Sequence, residues 1–446
     1  MKKLLSALLC LVMVSMLFTG VALAADDVIN VYAFTDEVPG MLQKYVDEHP
    51  DFGYTINATI IATTDGAYQP ALDQALIAGG SDAPDIYCAE AAFVLKYTQG
   101  DAAGYAASYA DLGIDIDAEL ATADIAQYSV DIGTRDDGAV VGLGYQATGG
   151  AFIYRRSIAL DTFGTDDPDE IGAIIGAGSG NWDKFFEAAE TLKEKGYGII
   201  SGDGDLWHAV ENSSDTGWIV DGKLNIAPKR EAFMDLYKTL KTNDYHNDTQ
   251  DWQDAWFADM AGTGAKGIFG FFGPAWLINY TIAPNCGGSA VGEGTYGDWA
   301  ICNSPVGFFW GGTWLLANKD TAKAEAVAEL IKWVTLDATE DGLQYHWANG
   351  TMVEGEEGTK DSVASGTVMS NSNGELAFLG GQNMFDIFVP ANAYAKGTNM
   401  TQYDETINLY WRDAVRQYTS DAMTKEEAIN SFKQNIADNL DVIVEF

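Results

Sequence analysis

The sequence predicts an α/β protein of two lobes, on three observations. The chain has 446 residues, too many for one ordinary hydrophobic core and enough for two. Past its first residues, strand-like and helix-like segments alternate, the pattern of a parallel sheet covered by helices. Between Ile268 and Trp314, eleven of forty-seven residues are Phe, Tyr or Trp. They sit among glycines that let a backbone turn and approach a partner closely. Trp276, Trp310 and Trp314 in that setting build either core or an aromatic platform, and the set as a whole points to a ligand cleft.

Taken in order, the chain opens with a segment that is not part of the fold. Lys2 and Lys3 precede an apolar run to Phe18, and Ala22-Leu23-Ala24 makes a small-x-small cleavage site. A signal peptide over 1–24 is expected, leaving a mature chain from Ala25. Asp26 and Asp27 follow where a membrane anchor would carry basic residues. Cys10 lies inside the apolar run without the small residue that lipid attachment wants just before it, so export without a lipid is expected.

Val28–Phe34 is strand-like, Gly40–Glu48 helical, Tyr54–Ile61 a second strand, Ala67–Ala78 a helix and Asp85–Cys88 a third strand. Ligands of such sheets bind beyond the carboxyl ends of the strands, which makes Asp36, Asp65 and Glu90 candidates by position. Each taken alone is more often a helix cap. Asp136-Asp137-Gly138 turns into the strand Val140–Tyr145, and Ala151–Tyr154 is another. Asn181 caps a helix whose Trp182, Phe185, Phe186, Ala189 and Leu192 fall at helical spacing, stopped by Gly196. Val327, Leu330, Ile331 and Val334 mark a further amphipathic helix. Thr424-x-x-Glu427 is a capping box ahead of Ile429, Phe432 and Ile436.

Acidic residues outnumber basic ones 65 to 25, for a formal charge of −40, which repels phosphate backbones and excludes nucleic acid as a partner. Cys286 and Cys302 lie sixteen residues apart, and export permits a disulfide between them, worth about 3 kcal/mol in the chain-entropy picture. Cys88 reads as a small buried side chain. Gly292-x-Gly294-x-x-Gly297 lacks the strand and helix of a dinucleotide site. The four histidines have no zinc spacing, Asp111, Asp115 and Asp117 lack the rest of a calcium loop, and no G-x-S-x-G elbow occurs. No cofactor is expected.

The order of segments resembles the extracellular solute-binding proteins that deliver sugars to ABC importers, the group that includes maltose-binding protein. Pro84-Asp85-Ile86 resembles the family's third-strand motif, and Tyr109-Ala110-Asp111-Leu112 its "ADL" turn. DDGAVVGLGYQATGGAFIYRR is similar to the segment written DGKxYGLPY with its following strand, and NWDKFFEAAETLKEKGYGI to the T-W-[DE]-E helix. GFFGPAWLINY resembles the G-x-W segment. Gly144 stands where Pro is common, and Arg155-Arg156 where Asn-Lys is. The resemblance implies a Venus-flytrap, periplasmic-binding-protein fold of type II with hinge crossovers, one near Tyr145–Thr148 and a return near Gly312–Leu315. It puts 25–145 plus about 313–360 in one lobe, and 146–312 plus about 361–446 in the other. It implies a monomer that captures a sugar or oligosaccharide and hands it to the importer's transmembrane subunits.

A pyranose offers an apolar C–H face to flat rings and a rim of hydroxyls to carboxylates and amides. The resemblance makes Trp276 the first stacking candidate, followed by Tyr145, Trp207 and Trp310, with Gly311 and Gly312 exposing backbone amides. Asp36, Asp65, Glu90 and Asp205 are proposed acceptors, and Gln382-Asn383 resembles a late cleft loop. The stretches proposed hold few cations, which disfavours an anionic solute; a cationic one fits acids and rings almost as well as a sugar. The alternative from another class is a secreted glycoside hydrolase, which needs two carboxylates across the scissile bond.

Overall fold

The computed structural model describes residues 27–63, 66–353, 355 and 358–446. The expected signal peptide over 1–24 lies outside them. The strands that position the site are β1 (Val28–Ala33), β2 (Thr55–Ile60), β3 (Ile86–Glu90), β4 (Gly142–Gly144), β5 (Ala151–Arg155), β6 (Gly270–Gly273), β7 (Trp299–Asn303) and β8 (Thr313–Ala317). The helices that matter here are α1 (Glu37–Glu48), α2 (Tyr68–Ala78), α3 (Asp183–Glu194), α4 (Asp203–Glu211), α5 (Ala324–Thr335), α6 (Asp404–Thr419) and α7 (Lys425–Asn439).

The first sheet has the order β2-β1-β3-β8-β4. β1 runs parallel to β2 and β3, as the alternation of strands and helices predicts, whereas β8 is antiparallel to both β3 and β4. The reversal follows from where β8 starts: Thr313 pairs with Glu90 at the carboxyl end of β3, so the strand runs back from there. Alternate residues feed opposite faces, as the two-residue period of a strand requires. Ile29, Val31, Cys88 and Leu315 pack on one side with α1 and α5, and Tyr87, Ala89, Trp314 and Leu316 on the other with α2.

The second sheet, β6-β5-β7, is antiparallel throughout. Phe152, Tyr154 and Phe272 face a core that includes α3, α4, α6 and α7, while Ile153, Phe271 and Trp299 face another. The same alternation decides the cysteines. Cys302 points into the first of these cores and Cys286 belongs to the second. Both thiols are free, so the disulfide that export would permit is not formed: the two side chains lie in the cores on opposite faces of one sheet.

The N-cap of α3 is Trp182 rather than the expected Asn181, which stands one residue earlier and accepts the Asp183 N–H at Oδ1 at 3.1 Å. Thr424 and Glu427 exchange side-chain-to-backbone bonds at the start of α7. Val327, Leu330, Ile331 and Val334 of α5 are all fully buried.

Three passages join the two lobes. The segment from β4 to β5 pairs with the segment from β7 to β8: Gly150 N–H donates to Phe308 O at 3.0 Å, and Trp310 N–H to Thr148 O at 3.1 Å. A third strand-like passage runs beside them, where Ala364 N–H donates to Tyr145 O at 2.8 Å and Ser362 Oγ to Ala147 O at 2.6 Å. Among the described residues no helix is long and apolar enough to cross a membrane.

Candidate functional site

A cleft of about 1010 Å³ opens where these passages meet the two sheets. One wall is made of strand ends: Phe34 and Thr35 follow β1, Thr63 follows β2, and Glu90 ends β3. This is where a sheet of parallel strands presents a ligand. The other wall is aromatic. Trp276 follows β6 and leads into a π-helical turn, Leu277–Ile282, while Trp310 sits on the crossover into β8. Their rings meet edge to face at 4.7 Å between centroids, and Trp276 Nε1–H donates to Trp310 O at 2.9 Å. Trp252 lies near-parallel to Trp276, with centroids 6.2 Å apart and planes 10° off parallel. Trp252 is 51% exposed and holds a left-handed φ of 65°, strain of the sort that persists at functional sites.

Gly311 and Gly312 connect the aromatic wall to β8 with φ of 75° and 114°. A Cβ on Gly311 would stand 3.3 Å from Trp276 Nε1 and 3.6 Å from Glu90 Oε1. The glycine is thus what lets the indole, the carboxyl and the backbone converge.

Burial governs the carboxyls. It pushes Glu90 up to about 7, with the nearby Glu405 and Glu211 adding to it, against the Ala92 N–H that Glu90 accepts at 2.8 Å. Burial raises Glu37 to about 7, assisted by Asp36, and Asp404 to about 6. Asp251 goes the other way. Burial opposes its charge, but the His208 and Arg412 side chains hold it far below the usual carboxylate range. Arg412 is shared between Asp251 at 2.8 Å and Asp203 at 3.3 Å, and Arg416 reaches Asp203 at 3.2 Å. Both guanidiniums at this wall are therefore committed to buried acids. Among the described residues no group of three or more His, Cys, Asp or Glu is placed to hold a metal.

Of the residues singled out from the sequence, Glu90, Trp276, Trp310, Gly311 and Gly312 line the cleft together. Asp65 lies outside the described residues. The others are corrected. Tyr145 is fully buried in the first lobe, edge-on to Trp347, with its hydroxyl on Glu37. Trp207 touches the cleft wall but is 1% exposed, its ring packed on Phe233 in the core, so no face is free for stacking. Asp205 is buried as the third residue of α4, accepting N–H bonds from Ser201, Gly202 and the Trp256 indole. Asp36 is exposed ahead of α1, and Glu37 lines the cleft in its place. Gln382 clasps the β7 edge through Ile301 N–H and O, and Asn383 caps the turn at Phe385. Both serve a hairpin rather than the cleft.

Sequence reasoning does not single out Glu37, Trp252, His208 or Arg412, all of which line the cleft. Arg412 and Arg416 stand four apart on one helix face, a visible spacing whose acidic partners are distant in sequence.

The family profile described as bacterial extracellular solute-binding protein matches residues 34–341. The chain belongs to that family. No curated protein matches it in sequence, and its solved likenesses share the fold at low identity. A solute-binding protein described as extracellular solute-binding protein family 1 superposes with a TM-score of 0.72 at 18% identity, covering 92% of this chain and 99% of the other. The galacto-N-biose/lacto-N-biose I-binding protein of Bifidobacterium longum gives 0.66 at 16%, covering 94% and 98%. The sugar-binding protein MalE of Xanthomonas citri gives 0.66 at 14%, covering 92% and 96%. This solute-binding protein thus shares a two-lobed fold across nearly its whole length with chains whose sequences have drifted far from it.

Proposed function

We propose that this solute-binding protein captures a sugar or oligosaccharide outside the cytoplasm and delivers it unaltered to the transmembrane subunits of an ABC importer. The observation that carries the proposal is the pairing of Trp252, Trp276 and Trp310 with Glu37 and Glu90 across one cleft. Flat indoles cover the apolar face of a pyranose, and the carboxyls take its hydroxyls. A few such contacts supply the roughly −8 kcal/mol of micromolar capture. The lobes are taken as 25–145 with about 313–360, and 146–312 with about 361–446, in a monomer released from its leader near Ala24.

A thermal-shift screen over neutral mono- and oligosaccharides, followed by calorimetry and product analysis, tests it. Stabilisation by one sugar that is recovered intact supports capture. Cleaved product would establish a hydrolase instead, and a panel without any stabilising sugar would remove the carbohydrate reading. One observation favours a cationic solute as the second reading: among the described residues no ion pair reaches Glu37, Glu90, Asp404 or Glu405. Binding of polyamines in the same screen, weakening steeply with salt, would select it.

A further inference from the structure

The aromatic wall has a support that family membership does not account for. His208 on α4 lies face to face with Trp310, with centroids 3.5 Å apart and planes 12° off parallel. The imidazole is 8% exposed, and its two nitrogens face two acids. Nε2 is 3.3 Å from Asp251 Oδ2, while Nδ1 is 3.6 Å from Glu211 Oε1 and has no hydrogen-bond partner. Glu211 and Asp205 are the charged groups that face the ring from its own helix. Asp251 approaches from the loop after His246–Thr249, and Arg412 of α6, the cation on this side, binds that same Asp251 at 2.8 Å. Trp310 itself adds an uncharged face.

A neutral imidazole has one N–H and leaves its other nitrogen as a lone pair, whereas the cation has two N–H donors. Only the cation can serve Asp251 and Glu211 together, and only the cation places positive charge against an indole face. We propose that His208 is the positioning residue of the solute site: in its protonated form it ties Asp251 to Glu211 and fixes the plane of Trp310. Trp276 follows, because its Nε1–H is bound to the Trp310 carbonyl. The inference rests on the solute-cleft reading, since a fixed indole plane matters only where a solute stacks. Burial alone would lower the imidazole, but Asp251 and Glu211 outweigh it and push it above the ordinary histidine value. The tie is therefore present at the acid end and is lost as pH rises through the raised value.

The test is nuclear magnetic resonance of the whole sugar-free protein, carrying labelled histidine Cε1 and tryptophan Nε1, from about pH 5.5 to about pH 9.5, a span that brackets the ordinary histidine value. Trp310→Phe removes one indole resonance and displaces the stacked histidine, which assigns both. The expected result is a His208 midpoint above about 6.5, with the Trp310 indole moving at that same midpoint. His208→Gln should abolish the pH response of Trp310 while the Trp299 indole stays put. A Trp310 resonance indifferent to pH across the His208 midpoint overturns the proposal, and the unsubstituted protein alone decides this should His208→Gln not fold. Because no sugar is present, that failure is distinct from a glycan panel that finds no ligand.

Discussion

At the scale of single residues, two tryptophans separate core from platform. Trp207 is packed on Phe233 within the second lobe, and Trp276 is half-buried against Trp310 and Trp252. Truncating the first leaves a cavity, so Trp207→Ala should cost about 3–5 kcal/mol of stability, seen as a large fall in melting temperature. Trp276→Ala should weaken solute binding at least about tenfold, about 1.4 kcal/mol, while the melting temperature of the sugar-free protein falls far less than for Trp207→Ala. Equal losses of stability would make Trp276 a core ring. Glu90 gives a prediction with a sign. Its folded value of about 7 lies above its ordinary 4.5, so between those values the folded state holds more protons than the unfolded chain. Stability from this group is present at the acid end and lost as pH rises through the window. Glu90→Gln should therefore raise the melting temperature near pH 8 and change it little near pH 5.

At the scale of elements, the crossover Trp310–Gly312 is where strain and site coincide. Gly311→Ala puts a Cβ 3.3 Å from Trp276 Nε1 at a φ of 75°, which costs about 1–2 kcal/mol in backbone conformation alone. It should also displace the indole, so calorimetry should show a larger affinity loss than Thr424→Ala produces. The latter removes a cap remote from the cleft, costs about 1 kcal/mol of stability and should leave binding alone. That contrast also shows what the sequence makes legible. The capping box of α7, the apolar stripe of α5 and the strands β1 to β3 obey local periods, and each stands where those periods put it. The strand-end rule placed Glu90 at the cleft for the same reason. Tyr145, Trp207 and Asp205 fail because nothing local says which core a ring enters or which backbone amides an acid will cap. The pairing of Cys286 with Cys302 fails on the same ground: spacing in sequence says nothing of opposite sheet faces. Asp205 did carry a local signal, since an acid three residues into a short helix after Gly202 is a common cap.

At the scale of the whole molecule, two forces oppose each other across the cleft. Trp252, Tyr280 and Leu409 stand 51%, 45% and 60% exposed on its walls. Burying a large apolar side chain fully is worth about 1.5–3 kcal/mol, so closure over a solute has apolar area to gain. Against it stand Glu37 and Glu90 on the strand-end wall, facing Glu211, Asp404 and Glu405 from α4 and α6, with Glu405 and Glu211 acting directly on Glu90. Their mutual repulsion favours separation of the two walls when they are ionised, and the expected turning points are the paired crossovers at 148–150 and 308–310. Two outcomes follow for small-angle scattering at a pH near 8, where a protein of this length has a radius of gyration of about 22 Å if compact. Adding the captured sugar should shrink the radius. Lowering the pH to about 5 without sugar should also shrink it part of the way, because Glu37, Glu90 and Asp404, raised to about 7, 7 and 6, then take up protons. A radius insensitive to both would mean that the crossovers are rigid and that the solute enters a cleft of fixed shape.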